Sequence, residues 1–409
     1  MRTTTSKNRG TILTNTEQKL WNRNFVAVCF SSFFLFMTFY ILAVTLPIYV
    51  MDTLQGGKQQ IGLVTTVFII AAVIFRPLAG KWLDDFDKKK IIIVSLVIFM
   101  LCSAAYTLVH SLSALLLLRF IHGIGFGMAS TATGAVAVDL VPDERKGEGI
   151  GYFSLFMSLA MVIGPTVGLT VMDHFSSGVM FILCLVFALI ACFLGVSLNI
   201  PKKSGMPKTP SAKGWKSLIE PGAVPIALAG SILAFSYGAI TTFISVYAKD
   251  MGIGPMASYF FMVFAAMIVI SRPFTGKMFD RKGPNVLVYP GILLFTAGMI
   301  LLSLAHTSSV FLAAGAVIGL GFGALLPSFQ TIAVQSSPGH RRGAATGTYF
   351  TLFDSGYGLG SYMLGILAAR TNYHTMYFIA ALVVACTAIL YYSLHHRKTS
   401  KNSQGVTTA

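Results

Sequence analysis

Of the fourteen acidic residues in this 409-residue chain, thirteen lie in polar segments or in the last turn of an apolar run. The exception is Asp354, in the stretch FTLFDSGYGLG. Eleven residues into its run, it lies about 16 Å from the near end if the run is helical. A low-dielectric setting favours the neutral form of a carboxyl group, which lets it pick up and release protons. That is the chemistry of a proton carrier. The competing reading is structural, with Asp354 bonded to the hydroxyls of Thr351 or Ser355 while nearby glycines pack.

Two basic residues also fall inside an apolar run, in RFIHGIG. Arg119 and His122 are three apart and share a helical face, about 9 and 14 Å from the end of their run nearer residue 112. A guanidinium in an apolar setting faces a cavity or a partner, or snorkels to an interface. For His122 the choice is between a titrating group and a packed, hydrogen-bonded core histidine. No His, Asp or Glu cluster has metal-ligand or acid/base spacing within the apolar runs, so no metal and no cofactor is expected and an enzyme is disfavoured. The Gly-x4-Gly-Lys-Ser/Thr loop that cradles nucleotide phosphates is absent from the sequence, which disfavours ATP drive.

The elements that must hold these residues are set by composition. Apolar residues make up 55% of the chain and charged residues 11%, against roughly 25% charged in soluble domains. Twelve apolar runs account for the deficit, at about 25–50, 60–82, 91–110, 112–138, 149–172, 178–199, 224–248, 257–278, 285–305, 308–335, 343–368 and 373–394. Each reaches the roughly 20 residues needed to cross a bilayer core. Backbone groups in lipid must pair internally, and the runs lack strict alternation, so each is a helix. The expected fold class is all-α, a polytopic membrane protein of 12 transmembrane helices.

The net charge of +16 is a topology signal. With the N-terminus inside, inward segments hold 24 Lys and Arg and outward loops three, namely Lys58, Lys249 and Arg370. This bias places both termini in the cytoplasm. It also suits anionic lipid head groups, and no nucleic acid is expected. Residues 1–24 lack an apolar core, so no cleaved signal peptide is expected and the first helix inserts the chain. The five cysteines all lie in the runs and read as small apolar residues. Arg76 and Arg272, each followed by proline within about two turns of the inner face, are expected to snorkel.

The runs divide six and six around PKKSGMPKTPSAKGWKSLIEP, a linker at 201–221 rich in proline, lysine, glycine and serine. A constant shift of 196 carries Arg76, Pro77, Gly80, Lys81 and Asp84 onto Arg272, Pro273, Gly276, Lys277 and Asp280. It also carries GIGFG (123–127) onto GLGFG (319–323), and Pro142, Arg145, Gly147, Gly151 and Gly164 onto Pro338, Arg341, Gly343, Gly347 and Gly360. The chain is a duplicated six-helix unit with both copies oriented alike. The expected organisation is an N-terminal tail (1–24), a first bundle (25–200), the linker (201–221), a second bundle (222–395) and a C-terminal tail (396–409).

Two parallel six-helix repeats about an axis along the membrane normal are the plan of the major facilitator superfamily, which this chain resembles. Gly80-x3-Asp84 with the basic run after it, and its repeat Gly276-x3-Asp280-Arg281-x-Gly283, resemble the superfamily's signature loop. Asp85 and Asp87 stand where a basic residue and glycine are usual. The resemblance implies a latch in which Asp84 meets Arg145 and the N-terminal end of the eleventh helix near Gly343, where carboxylates are favoured. The bland reading is that these charges only fix topology. The fifth helix reads Gly151-x8-Ala160-x3-Gly164-Pro165-x2-Gly168, similar to the antiporter motif of the drug:proton branch, with Ala160 and Leu169 replacing two glycines. Ordinary close packing competes with that reading.

Arg119 and His122 lie in a stretch resembling the family's Arg-x2-Gln-Gly-x-Gly, with His122 at the Gln position. By the same resemblance helices 1, 4, 7 and 10 line a cavity, here offering Phe36, Tyr40, Phe235, Tyr237, Phe322 and Phe329. An aromatic, weakly charged lining suits lipophilic or cationic organic compounds. The expectation is a proton-coupled exporter of small organic substrates, monomeric, in a bacterial inner membrane, with Asp354, Arg119 and His122 serving the proton. An uptake symporter, a uniporter and, remotely, a membrane enzyme or sensor are the alternatives.

Overall fold

In a computed structural model of the protein, residues 20–142, 145–200, 219–338 and 342–396 are described. Twelve α-helices follow one another among them. The first six are α1 (Arg23–Asp52), α2 (Lys58–Asp85), α3 (Lys88–Ala105), α4 (Leu112–Leu140), α5 (Lys146–His174) and α6 (Ser177–Val196). The second six are α7 (Val224–Asp250), α8 (Met256–Lys282), α9 (Asn285–Ser303), α10 (Ser308–Gln335), α11 (Arg342–Arg370) and α12 (Tyr373–Tyr391). Among the described residues there is no strand. Polar side chains start the helices: Asn22, Ser111, Thr307 and Asn372 each accept the backbone N–H three residues on, satisfying donors that a helix leaves open.

Among the described residues, ten of the helices are long and apolar enough to cross a membrane. α11 falls short of that by composition. α11 mixes Thr, Ser, Tyr, Gly and Asp354 into its length. It packs on α7 and on α2 across the middle of the molecule, where polar residues find protein rather than lipid.

The two sixes repeat one packing pattern. In the first, α1 packs on α5 and α6, α4 on α2 and α3, and α3 on α6; in the second, α7 packs on α11 and α12, α10 on α8 and α9, and α9 on α12. The repeated GIGFG and GLGFG explain part of this. A Cβ on Gly125 would lie 2.9 Å from the Phe99 nitrogen, and one on Gly321 would lie 2.6 Å from the Phe295 nitrogen. Only glycine lets α4 and α10 approach their neighbours so closely.

Asn24 Nδ2 donates to the Asn199 carbonyl, and Tyr391 Oη donates to Asn285. The start of α1, the end of α6, the start of α9 and the end of α12 therefore share one face, here the terminal face. The opposite, far face carries the ends of α1 and α7. The sixes meet along α2 with α11, α5 with α8, and α1 with α7. Most of the named contacts across this seam lie toward the far face. Lys249 Nζ lies 2.6 and 2.5 Å from the Asp52 carboxylate oxygens, Ser245 Oγ donates to the Val44 carbonyl at 3.0 Å, and Thr66 Oγ1 donates to the Gly358 carbonyl at 2.7 Å.

Candidate functional site

Two opposite charges meet at mid-depth in the seam. α2 carries Arg76 nine residues before its last residue, about 14 Å from the terminal face. α11 carries Asp354 twelve residues after its first, about 18 Å from the same face. Because α2 packs on α11, Arg76 Nη1 and Asp354 Oδ2 form an ion pair, with side chains 14% and 19% exposed. Phe39, Phe68 and Tyr357, all buried, lie farther along their helices toward the far face.

This corrects two expectations. Arg76 does not snorkel: α2 runs on to Asp85, and a carboxylate at the same depth compensates the guanidinium better than a stretched side chain could. Asp354 does not rest on its neighbouring hydroxyls either, since Ser355 Oγ donates to the Thr351 carbonyl at 2.7 Å. Arg76 keeps one further face free. Its Nε is buried without a hydrogen-bond partner, and its guanidinium carbon lies 6.0 Å from the Phe126 ring centre.

Arg119 and His122 form a separate, sealed group inside the first six helices. Arg119 is 1% exposed. Its Nε donates to the Val64 carbonyl and its Nη1 to Tyr106 Oη, both at 3.3 Å, and it lies 3.9 Å over the Phe68 ring. His122 is fully buried. Its Nδ1 lies 3.0 Å from Tyr106 Oη and its Nε2 3.4 Å from Ser103 Oγ. Arg119 thus neither snorkels nor opens to a cavity; a π face and two oxygens hold it. The repeat has Gly315, Ile318 and Leu302 at the three corresponding positions, so the fold itself does not require the group.

A family model described as Major Facilitator Superfamily matches residues 28–361 and 291–408. The chain belongs to the major facilitator superfamily. It is a multi-pass membrane transporter and not an enzyme. Among curated relatives, the quinolone resistance protein NorA of Staphylococcus aureus is 24% identical over 387 residues, covering 92% of this chain and 98% of NorA. Among solved structures, a bacterial homolog of the human lysosomal transporter Spinster, inward-facing and unoccupied, has a TM-score of 0.75 at 15% identity and covers 90% of this chain and 96% of its own. The nucleoside transporter NupG has a TM-score of 0.69 at 16% identity and covers 90% of this chain and 98% of its own. These two likenesses speak for the fold.

In this facilitator the fifth-helix motif makes the contact between α5 and α1. A Cβ on Gly164 would lie 2.8 Å from Tyr40 Cβ, and one on Gly168 would lie 3.0 Å from Ile41 Cγ2. Ala160 is fully buried, and Pro165 sits within the helix. Gly151 lies nearer the start of the same helix. For the latch, Arg145 and Arg281 are exposed, while the side chains of Asp84 and Asp280 and the surroundings of Gly276 lie outside the described residues. Gly80 has open space around its Cα.

Of the six aromatic residues expected to line a cavity, four gather near the seam. Phe36 packs 5.2 Å from Phe126 and 6.3 Å from Tyr40, and Tyr237 stacks on Phe322 at 4.4 Å. Phe235 is half-buried on α7, its backbone against Gly360. Phe329 points elsewhere, stacking at 6.1 Å on Tyr391 within the second six. Sequence reasoning missed the residues that bridge the two groups. Phe39 lies 6.4 Å from Tyr357, which lies 6.0 Å from Tyr237 and accepts a hydrogen bond from Thr241 Oγ1 at 2.8 Å.

Proposed function

We propose that this facilitator is a proton-coupled exporter of lipophilic or cationic organic compounds. It works as a monomer in a bacterial cell membrane with the terminal face in the cytoplasm. The bundles 25–200 and 222–395, joined by the linker 201–221, rock against each other and expose a site in the seam to each side in turn. The observation that carries the reading is the Arg76–Asp354 ion pair between α2 and α11. A proton and Arg76 compete for one carboxylate. While Arg76 holds it, the bundles are tied at mid-depth; a proton removes the charge and frees α2 from α11. Proton loading therefore acts directly on the contact that alternating access must break. Arg119 and His122 hold α2, α3 and α4 in register around this site. The likeness to NorA along nearly its whole length supports export.

Symport is the second reading, and one observation favours it. A proton is what releases α2 from α11 at the Arg76–Asp354 pair, so a proton and a substrate crossing together satisfy the same contact. Inverted vesicles separate the two. With the lumen made acid, an exporter concentrates a fluorescent organic cation inside and a symporter drives it out. Asp354→Asn abolishes the response to the gradient in both cases; coupling left intact in that variant removes Asp354 from the mechanism.

A further inference from the structure

The far face of the second bundle carries two histidines that the transport reading does not use. His306 is exposed in the loop between α9 and α10, and His374 is half-buried as the second residue of α12. Their ring centres are 5.0 Å apart, with planes inclined by 30°. His374 Nδ1 lies 2.7 Å from the Ser303 carbonyl oxygen. A carbonyl only accepts, so Nδ1 carries the proton and, in the neutral ring, the lone pair sits on Nε2. Tyr247 Oη lies 3.2 Å from the same Nδ1 and also bonds the Leu302 and Ala305 carbonyls at 3.1 and 3.2 Å. The ring and the loop bearing His306 are thus fixed together. Metal-bound histidines are commonly oriented by such a bond from the second nitrogen to a carbonyl.

The spacing suits a shared ion. Two imidazoles bound to one tetrahedral zinc at about 2.0–2.1 Å have ring centres about 5 Å apart. The internal repeat supplies a comparison. A shift of 196 carries His110 onto His306 but Gly178 onto His374. In the first half Tyr49 Oη likewise ties the loop, donating to the Val109 carbonyl at 2.7 Å. The loop is therefore held without a second histidine, and His374 is an addition.

We propose that His306 and His374 form a two-histidine seat for Zn²⁺ on the far face. Among the described residues no third His, Cys, Asp or Glu joins them, so water completes the shell and the ion exchanges with the far compartment. Imidazole also suits Ni²⁺ and Cu²⁺, but zinc accepts the tetrahedral site with open positions.

The test is calorimetric titration of the detergent-purified full-length protein with ZnCl₂. One equivalent binds to the wild type. His306→Gln, at an exposed position where the fold is not at risk, weakens binding roughly tenfold or more, on the scale of lost ligand support. His306→Cys retains binding, because a thiolate is also a zinc ligand, and His110→Gln leaves it unchanged. Wild-type affinity in His306→Gln overturns the proposal. So does a wild-type protein that takes up no zinc, which would reduce the pair to ring stacking.

Discussion

Arg76 on α2 and Asp354 on α11 are ion-paired across the seam, each partly exposed. Removing one partner leaves the other charge buried and uncompensated. Arg76→Gln and Asp354→Asn are each expected to destabilise the purified protein by about 2 kcal/mol, a buried-pair cost discounted for partial exposure. The double variant regains most of that loss, because no lone charge remains. Thermal unfolding in detergent checks this. Additive losses in the double variant would mean that the two side chains act independently.

Lys249 and Asp52 tie the ends of α7 and α1 at the far face, with side chains 49% and 40% exposed. So open a pair contributes under about 1 kcal/mol to stability. Its leverage is on the balance between states, since it joins the two bundles. Lys249→Ala is expected to leave the melting temperature nearly unchanged while raising alkylation of a cysteine at buried Ser245 from the far side, in a Cys386→Ser background. The exchanged pair Asp52→Lys/Lys249→Asp restores the wild-type labelling rate.

Gly62 sets how closely α2 approaches α11, because a Cβ there would strike the Ser361 carbonyl. Backbone cannot yield as a side-chain tip can, so Gly62→Ala forces the helices apart at about 1–3 kcal/mol, the usual cost of overpacking. The far half of the seam opens, and the same Ser245→Cys reporter labels faster. Gly57→Ala meets no atom within 4 Å and serves as the silent control.

His122 is enclosed by Tyr106, Ser103, Phe68 and Phe99. His122→Ala leaves buried hydroxyls short of a partner and opens a cavity, and is expected to cost about 2–4 kcal/mol. Variants that fold retain the wild-type ratio of protons to substrate, because the group lies apart from Asp354. A changed ratio measured in proteoliposomes would return His122 to the proton path.

Much of this architecture is legible in the sequence because its causes are local or repeated. Bilayer thickness fixes the length of an apolar run, and the placement of Lys and Arg marks loops, so twelve helices and their duplication can be counted directly. The glycine pairs at 123–127 and 319–323 are legible for the same reason, since a close approach made twice leaves its mark twice. Asp354 stands out by its depth alone. Its partner does not. Arg76 and Asp354 meet only because α2 packs on α11 across the seam, and no period or spacing along one helix encodes that contact. Arg119 reads as a cavity or interface residue until Phe68, Val64 and Tyr106 close around it. Phe329 reads as a cavity aromatic until the rotation of α10 turns it onto Tyr391. The sequence by itself determined the helices, their number and their repetition, because lipid solvation acts on each segment alone. Only the tertiary structure decided which buried charges are compensated and by what, because that depends on the rotation and depth of helices distant in the chain.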